Sequence, residues 1–324
     1  MFASLLALAM RPVLAQELTT LGGLVRETDR HHTSYSYEVE YKQALGSHAA
    51  ISLGYLNEGH LPNDHRDGYP LQLWGRTDVL DDRVALSAGI GPYWYLDTNR
   101  RTTSGAFTDD HGFGRIMSLD AAWDAGQRWK LHLRGNWIRA SGTFDSTTFS
   151  IGTSYALSSD WCSAPRLEAP QCPSWTTGQE ITLYGGIDVV NSFDPSERSE
   201  TECLEYRRGL ARNADWTVGL FHENNPLLAR RLSAATQLWV TRPVSGEEWT
   251  LGLGVGPYFV VSEQSGSNEA DPPKVCGIIS ATAARRLSDH THLRFTWNRV
   301  FTTDSRDTDM LMVGLGYDLA APRG

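Results

Sequence analysis

A long internal repeat constrains this chain more than any other feature. Displaced by 165 positions, Glu40-Tyr41 falls on Glu205-Tyr206, Gly54 on Gly219 and Glu58 on Glu223. The same displacement lays Gln72-Leu73-Trp74 on Gln237-Leu238-Trp239 and Gly91-Pro92-Tyr93 on Gly256-Pro257-Tyr258, and carries Gly112 to Gly277 and Asp124 to Asp289. With small loop changes, Gln16 to Gly23 matches Gln179 to Gly186, and Gly152, Tyr155 and Leu157 match Gly314, Tyr317 and Leu319. One structural unit is therefore used twice, and the fold has to be assembled from two copies of it.

Within each copy the hydrophobic pattern has a period of two. Tyr35, Tyr37, Val39 and Tyr41 alternate with Ser36, Glu38, Glu40 and Lys42, and Trp129, Leu131, Leu133 and Trp137 oppose Lys130, His132, Arg134 and Asn136. Alternation at this period is the mark of β-strands with two unlike faces. It predicts eight strands in the first copy, near 18–29, 35–45, 49–57, 68–78, 83–97, 112–123, 128–139 and 146–157. Eight more follow near 180–192, 203–210, 216–222, 233–242, 248–261, 276–286, 292–301 and 308–319. Odd-numbered connections read as long and even-numbered ones as short.

No run reaches the ~18 to 20 apolar residues of a membrane-spanning helix, so any membrane crossing has to be made by strands. Trp74, Trp94, Trp123, Trp129, Trp239 and Trp249 fall near predicted strand ends, as aromatic girdles would. A soluble β-sandwich or an enclosed lipocalin-like barrel is the alternative, and it leaves outward Trp and Leu opposite charged residues unexplained. The net charge of −9 offers no basic surface to nucleic acid.

The expected organisation is a signal peptide at 1–15, a first repeat at 16–157, a linker at 158–179, a second repeat at 180–319 and a tail at 320–324. The signal peptide rests on the apolar stretch Met1 to Met10 followed by Val13-Leu14-Ala15, with cleavage after Ala15. Four cysteines suit an oxidising compartment. The pairing favoured is Cys162 with Cys172 and Cys203 with Cys276, one of three connectivities that four cysteines allow.

Gly152-Thr-Ser-Tyr155-Ala-Leu157 and Gly314-Leu-Gly-Tyr317-Asp-Leu319 resemble the terminal-strand insertion signal of Gram-negative outer-membrane β-barrels. The chain departs from that pattern by continuing to Gly324 instead of ending on an aromatic residue. The resemblance spans the mature chain at the level of the class, which includes porins and lipid A-modifying barrels. It implies an antiparallel transmembrane β-barrel in the outer membrane, with a periplasmic N-terminus. Implied partners are outer-membrane lipid, lipopolysaccharide and, during insertion, the barrel-assembly machinery. A single sixteen-stranded barrel with a water-lined lumen is the favoured arrangement, and two eight-stranded barrels are the alternative. The expected function is a porin-like passage or a surface-exposed barrel with a polar lumen.

The periplasmic N-terminus places the connections 58–67, 98–111 and 140–145 at the cell surface. They hold Glu58, His60, Asp64, His65, Asp67, Asp109, Asp110 and His111, a set whose carboxylates would suit calcium or magnesium, or a lipid phosphate held through such an ion. No other cofactor is expected. Among these residues His60 or His65 as base, Glu58 or Asp67 to orient it, and Ser141 as nucleophile are the candidates for acyl hydrolysis or transfer on a lipid. An adhesin or structural barrel is the third reading. The second copy keeps Glu223 opposite Glu58 but has Asn225, Ala229, Arg230, Leu232 and Cys276 where the first has His60, Asp64, His65, Asp67 and His111.

Overall fold

A computed structural model describes residues 16–80, 83–100, 108–126, 128–157, 178–190, 198–211, 213–225, 229–244, 248–264, 275–302 and 307–319. The expected signal peptide at 1–15, the linker at 158–179 up to residue 177 with its Cys162 and Cys172, and the tail at 320–324 lie outside the described residues.

The chain divides into two compact units, Met1–Pro170 and Gln171–Gly324, each holding one closed antiparallel barrel of eight strands. The single sixteen-stranded barrel is corrected accordingly. In the first unit β1 (Gln16–Glu27), β2 (Thr33–Ala44), β3 (Ala49–Leu61), β4 (Asp64–Val79), β5 (Val84–Asn99), β6 (Thr108–Gly126), β7 (Trp129–Ala140) and β8 (Ser146–Ala156) pair in chain order, and β8 closes on β1. In the second, β9 (Gln179–Val190), β10 (Arg198–Ala211), β11 (Ala214–Asn225), β12 (Ala229–Val244), β13 (Trp249–Gln264), β14 (Val275–Arg286), β15 (Thr291–Phe301) and β16 (Thr308–Asp318) do the same, β16 closing on β9. Closure within each copy leaves no unpaired sheet edge, which a structure surrounded by lipid requires.

The alternation runs inside out. Tyr35, Tyr37 and Val39 are 42–48% exposed on the outer face, while Ser36, Glu38 and Glu40 are buried inside. Leu119, Leu131, Ile151, Leu183, Leu238, Val255 and Leu311 continue the exposed apolar exterior in both barrels. In each barrel a set of charged side chains lies within, among them Glu38, Glu40, Asp120 and Arg134 in the first and Glu180, Glu205, Arg207 and Arg294 in the second. An eight-stranded barrel has an interior only wide enough for its own side chains, so these charges have to pair with one another.

In the first barrel Arg134 is fully buried and donates to Glu38 (2.7 Å), Glu40 (2.9 Å) and Asp120 (3.1 Å). Lys130 meets Glu17 at 2.6 Å, and His132 bridges Asp120 and Glu17. In the second barrel Arg294 clasps both oxygens of Glu180 at 2.6 Å, and Arg207 joins Glu205 (3.1 Å) to Asp215 (3.3 Å).

Trp74 and Trp239 do not belong to a girdle. They are 3% and 2% exposed and point inward, their indole N–H groups donating to Ser52 and Thr217. Space for the rings comes from Gly89 and Gly254, where a Cβ would stand 2.7 and 2.5 Å from indole carbons. Trp123 and Trp129 do lie on the outer face.

Two further expectations change. Cys203 and Cys276 are buried and form no disulfide with each other. Their strands β10 and β14 lie four places apart in a ring of eight, on opposite walls. The uniform displacement of 165 also fails in β14. Gly91 pairs with Ile116 and Gly256 with Ile278, so Ile278 corresponds to Ile116 at a displacement of 162. Gly112 with Gly277, Asp124 with Asp289 and His111 with Cys276 are therefore not equivalent positions; three residues fewer separate the partner strands in the second copy.

Candidate functional site at the outer rim of the first barrel

The predicted surface connection 58–67 is mostly strand. β3 continues to Leu61 and β4 begins at Asp64, leaving a two-residue turn that contains Asn63 in the left-handed conformation. Strand geometry then distributes the predicted residues over two faces, because neighbours in sequence point to opposite sides of the wall.

Glu58 points inward and is fully buried. Its carboxylate accepts from Arg66 Nε (2.5 Å) and from a terminal guanidinium nitrogen of Arg66 (2.8 Å), from the Tyr93 hydroxyl (2.9 Å), and from Ser146. Arg66 also donates to Ser146 (2.8 Å) and to the Phe144 carbonyl, and its guanidinium lies 3.9 Å from the Phe144 ring centre. The second barrel repeats the arrangement with Glu223, Arg231, Tyr258 and Thr308. Sequence reading singled out Glu58 and missed Arg66, Tyr93 and Ser146 as its partners. The signal was present, since Arg66 and Arg231 share the displacement that relates Glu58 to Glu223.

Asp67, His60 and His65 belong to the other face. A bulge between Asn57 and His60 inserts Gly59, whose φ of 65° and close approach to the Tyr35 carbonyl exclude a side chain. The inserted residue brings His60 opposite His65, with ring centres 4.2 Å apart. Tyr35 meets His60 edge-on at 6.0 Å, and the Tyr55 hydroxyl donates to Asp67 at 2.7 Å.

Asp109, Asp110 and His111 extend β6 instead of forming a loop. Asp109 accepts from Thr98 (2.7 Å) and Asp110 from Asn99 (2.8 Å) across the β5–β6 pair. Asp64 receives Arg30 at 3.4 Å. Ser141 follows β7 and its hydroxyl lies 3.4 Å from the Phe113 carbonyl, on strands remote from the His60–His65 pair. The histidines and Asp67 are thus brought together; Glu58 is separated from them by the sheet wall, and Ser141 by the width of several strands.

Below this polar group, a row of aromatic rings crosses five strands. Tyr37 meets Tyr55 (6.0 Å), Tyr55 meets Tyr69 (5.6 Å), Tyr69 meets Trp94 (5.6 Å) and Trp94 stacks on Phe113 (6.5 Å). At the other end of the same barrel Trp123 is exposed and Trp129 packs against Tyr155 at 5.0 Å. On β6 the outward residues between Phe113 and Trp123 are Arg115, next to the Phe113 end, then Met117, Leu119 and Ala121. Ten residues of strand tilted by ~40° span roughly 25 Å along a barrel axis, the height of an outer-membrane barrel's apolar band.

No protein-family model matches the sequence, and no curated protein is similar to it. The solved structures that it resembles include an outer-membrane channel from Pseudomonas putida and an outer-membrane protein of Vibrio cholerae. The β domain of the Bordetella autotransporter BrkA is 11% identical, with 94% of this chain and 99% of that one covered and a TM-score of 0.26. The CymD monoaromatic hydrocarbon channel is 10% identical over 94% of this chain and 87% of the other, with a TM-score of 0.24. The translocator domain of the autotransporter NalP from Neisseria meningitidis is 9% identical over 96% and 90%, with a TM-score of 0.21. At such identities and TM-scores none of these likenesses carries an argument about this chain.

Proposed function

We propose that this chain is an integral outer-membrane protein carrying two barrels with packed polar interiors, and that its working surface is the outer rim of the first. The observation that carries this reading is the exposed apolar band of the first barrel, bounded by aromatic rings at both ends. An apolar belt of that height is unstable in water and matches the hydrocarbon core of an outer membrane.

His60, His65, Asn57 and Asp67 follow the aromatic row toward the β3–β4 turn, at the level where lipid headgroups meet water. Contact with lipopolysaccharide or another lipid headgroup, directly or through a divalent ion, is the role that suits this group. The ion-pair layers, centred on Arg134 in one barrel and on Arg207 and Arg294 in the other, support closed interiors over a wide passage.

Planar-bilayer recording of the full chain tests this against a porin-like passage. Closed interiors give no steps of porin size. Large discrete steps in the unmodified protein would establish passage and overturn the packed-interior reading. Recovery of the folded protein in a soluble periplasmic fraction, with gel mobility unchanged by boiling, would overturn membrane integration altogether.

A further inference from the structure

Within the second barrel, the end at which β9 begins and β16 finishes holds a group unlike its counterpart in the first. Glu180, His292 and Asp318 come together there, with one ligand-type atom from each lying within 4.8 Å of the others. His292 Nδ1 stands 3.8 Å from Glu180 Oε2 and 3.5 Å from Asp318 Oδ2. Despite that proximity Nδ1 is buried and makes no hydrogen bond. The His292 side chain is 11% exposed and that of Glu180 1%.

Strand register identifies the equivalent residues in the first barrel. Glu17 pairs with Lys42 and Ala156, as Glu180 pairs with Arg207 and Asp318. Trp129 pairs with Tyr155 and Thr291 with Tyr317, so the next residue of each strand, Lys130 or His292, occupies the same place. In the first barrel the Lys130 ammonium sits 2.6 Å from Glu17, opposite an alanine. The second barrel has lost that ammonium to an imidazole and gained a carboxylate at the alanine's position.

The charge balance follows. Glu17, Glu38, Glu40 and Asp120 are met by Lys42, Lys130, Arg134 and the bridging His132. Glu180, Glu205, Asp215 and Asp318 are met by Arg207 and Arg294 within the barrel, with Arg286 nearby and half-buried.

We infer that Glu180, His292 and Asp318 form a divalent-cation site, filled by zinc or a metal of similar ligand preference, in which the ion takes the place that the Lys130 ammonium holds in the first barrel. An imidazole nitrogen with two carboxylate oxygens is a donor set that zinc accepts, with a fourth position open to water. Metal–ligand bonds of ~2.0 to 2.1 Å put two ligand atoms of a tetrahedral ion roughly 3.4 Å apart; the His292 separations of 3.5 and 3.8 Å are close to that, and the three ligand atoms, all within 4.8 Å of one another, would draw together on binding. Arg294 already binds Glu180 through both oxygens, but each carboxylate oxygen has a second lone pair to offer. Because Glu180 and Asp318 face each other across the β9–β16 pair, the bound ion would clamp the seam at which the barrel closes.

The test is zinc titration of the full-length folded protein in detergent after stripping with chelator. Bound metal is counted by elemental analysis, and folding is followed by the mobility change on boiling. Wild-type protein is expected to hold one more equivalent of zinc than the double variant His292→Lys/Asp318→Ala, which restores the pair that the first barrel tolerates. Asp318→Asn, nearly isosteric, is expected to weaken that equivalent at least tenfold and decides the matter if the double variant does not fold. A folded double variant that retains the wild-type zinc count, or an Asp318→Asn protein with unchanged affinity, overturns the assignment.

Discussion

Arg134 shows how a single residue holds a small barrel together. Its guanidinium offers five donors in a rigid plane, and it contacts three carboxylates on β2 and β6 while lying 4.9 Å from the Trp74 ring. Arg134→Ala would leave Glu38, Glu40 and Asp120 buried beside one another. The expected loss is about 3–5 kcal/mol, the usual consequence of removing one partner from a buried ion pair. The opposite end of the barrel from the candidate site offers a control, since Arg76 meets Asp78 at 2.6 Å but is 40% exposed, and Arg76→Ala should cost less than ~1 kcal/mol. Urea titration followed by mobility on an unboiled gel measures both. Similar midpoints for the two variants would mean that the interior charges are solvated.

At the scale of one strand, β6 carries the clearest statement about surroundings. Its outward series runs from Phe113 through Arg115, Met117, Leu119 and Ala121 to Trp123, and its inward series contains Ile116, Ser118 and Asp120. Leu119 falls near the middle of the apolar band and Phe113 at its edge. Leu119→Arg is expected to destabilise the barrel by ~2–4 kcal/mol in lipid vesicles, and Phe113→Arg by no more than about 1 kcal/mol, because the penalty for a charge falls from bilayer midplane to interface. Equal, small effects from both substitutions would be the result for a barrel surrounded by water.

For the whole molecule, the consequential fact is that hydrogen bonding closes each copy on itself. β1 pairs with β8 from Glu17 to Glu27, and β9 with β16 from Glu180 to Val190, so each barrel satisfies its own edges. Residues 16–157 expressed alone should therefore fold in detergent and migrate differently before and after boiling. A fragment that assembles only when residues 178–319 are supplied would show that closure depends on the other copy.

The strand plan was legible in the sequence alone. The period of two located all sixteen strands and assigned the faces of β2 and β7, since Tyr37 and Leu131 had to part from Glu38 and His132 whatever the pairing. The repeat also marked Glu58 with Glu223 and Gln72 with Gln237 as positions held in common, and each pair has the same partners in the structure. Pairing across the ring was decided only by tertiary structure. The period-two pattern of a strand is identical in a ring of eight and a ring of sixteen, so the number of barrels and the wall that separates Glu58 from Asp67 could not be read from it. The same holds for Glu180, His292 and Asp318, which are remote in sequence and adjacent only because β16 returns to close on β9. Local pattern determines which way a side chain faces, whereas closure determines what it faces.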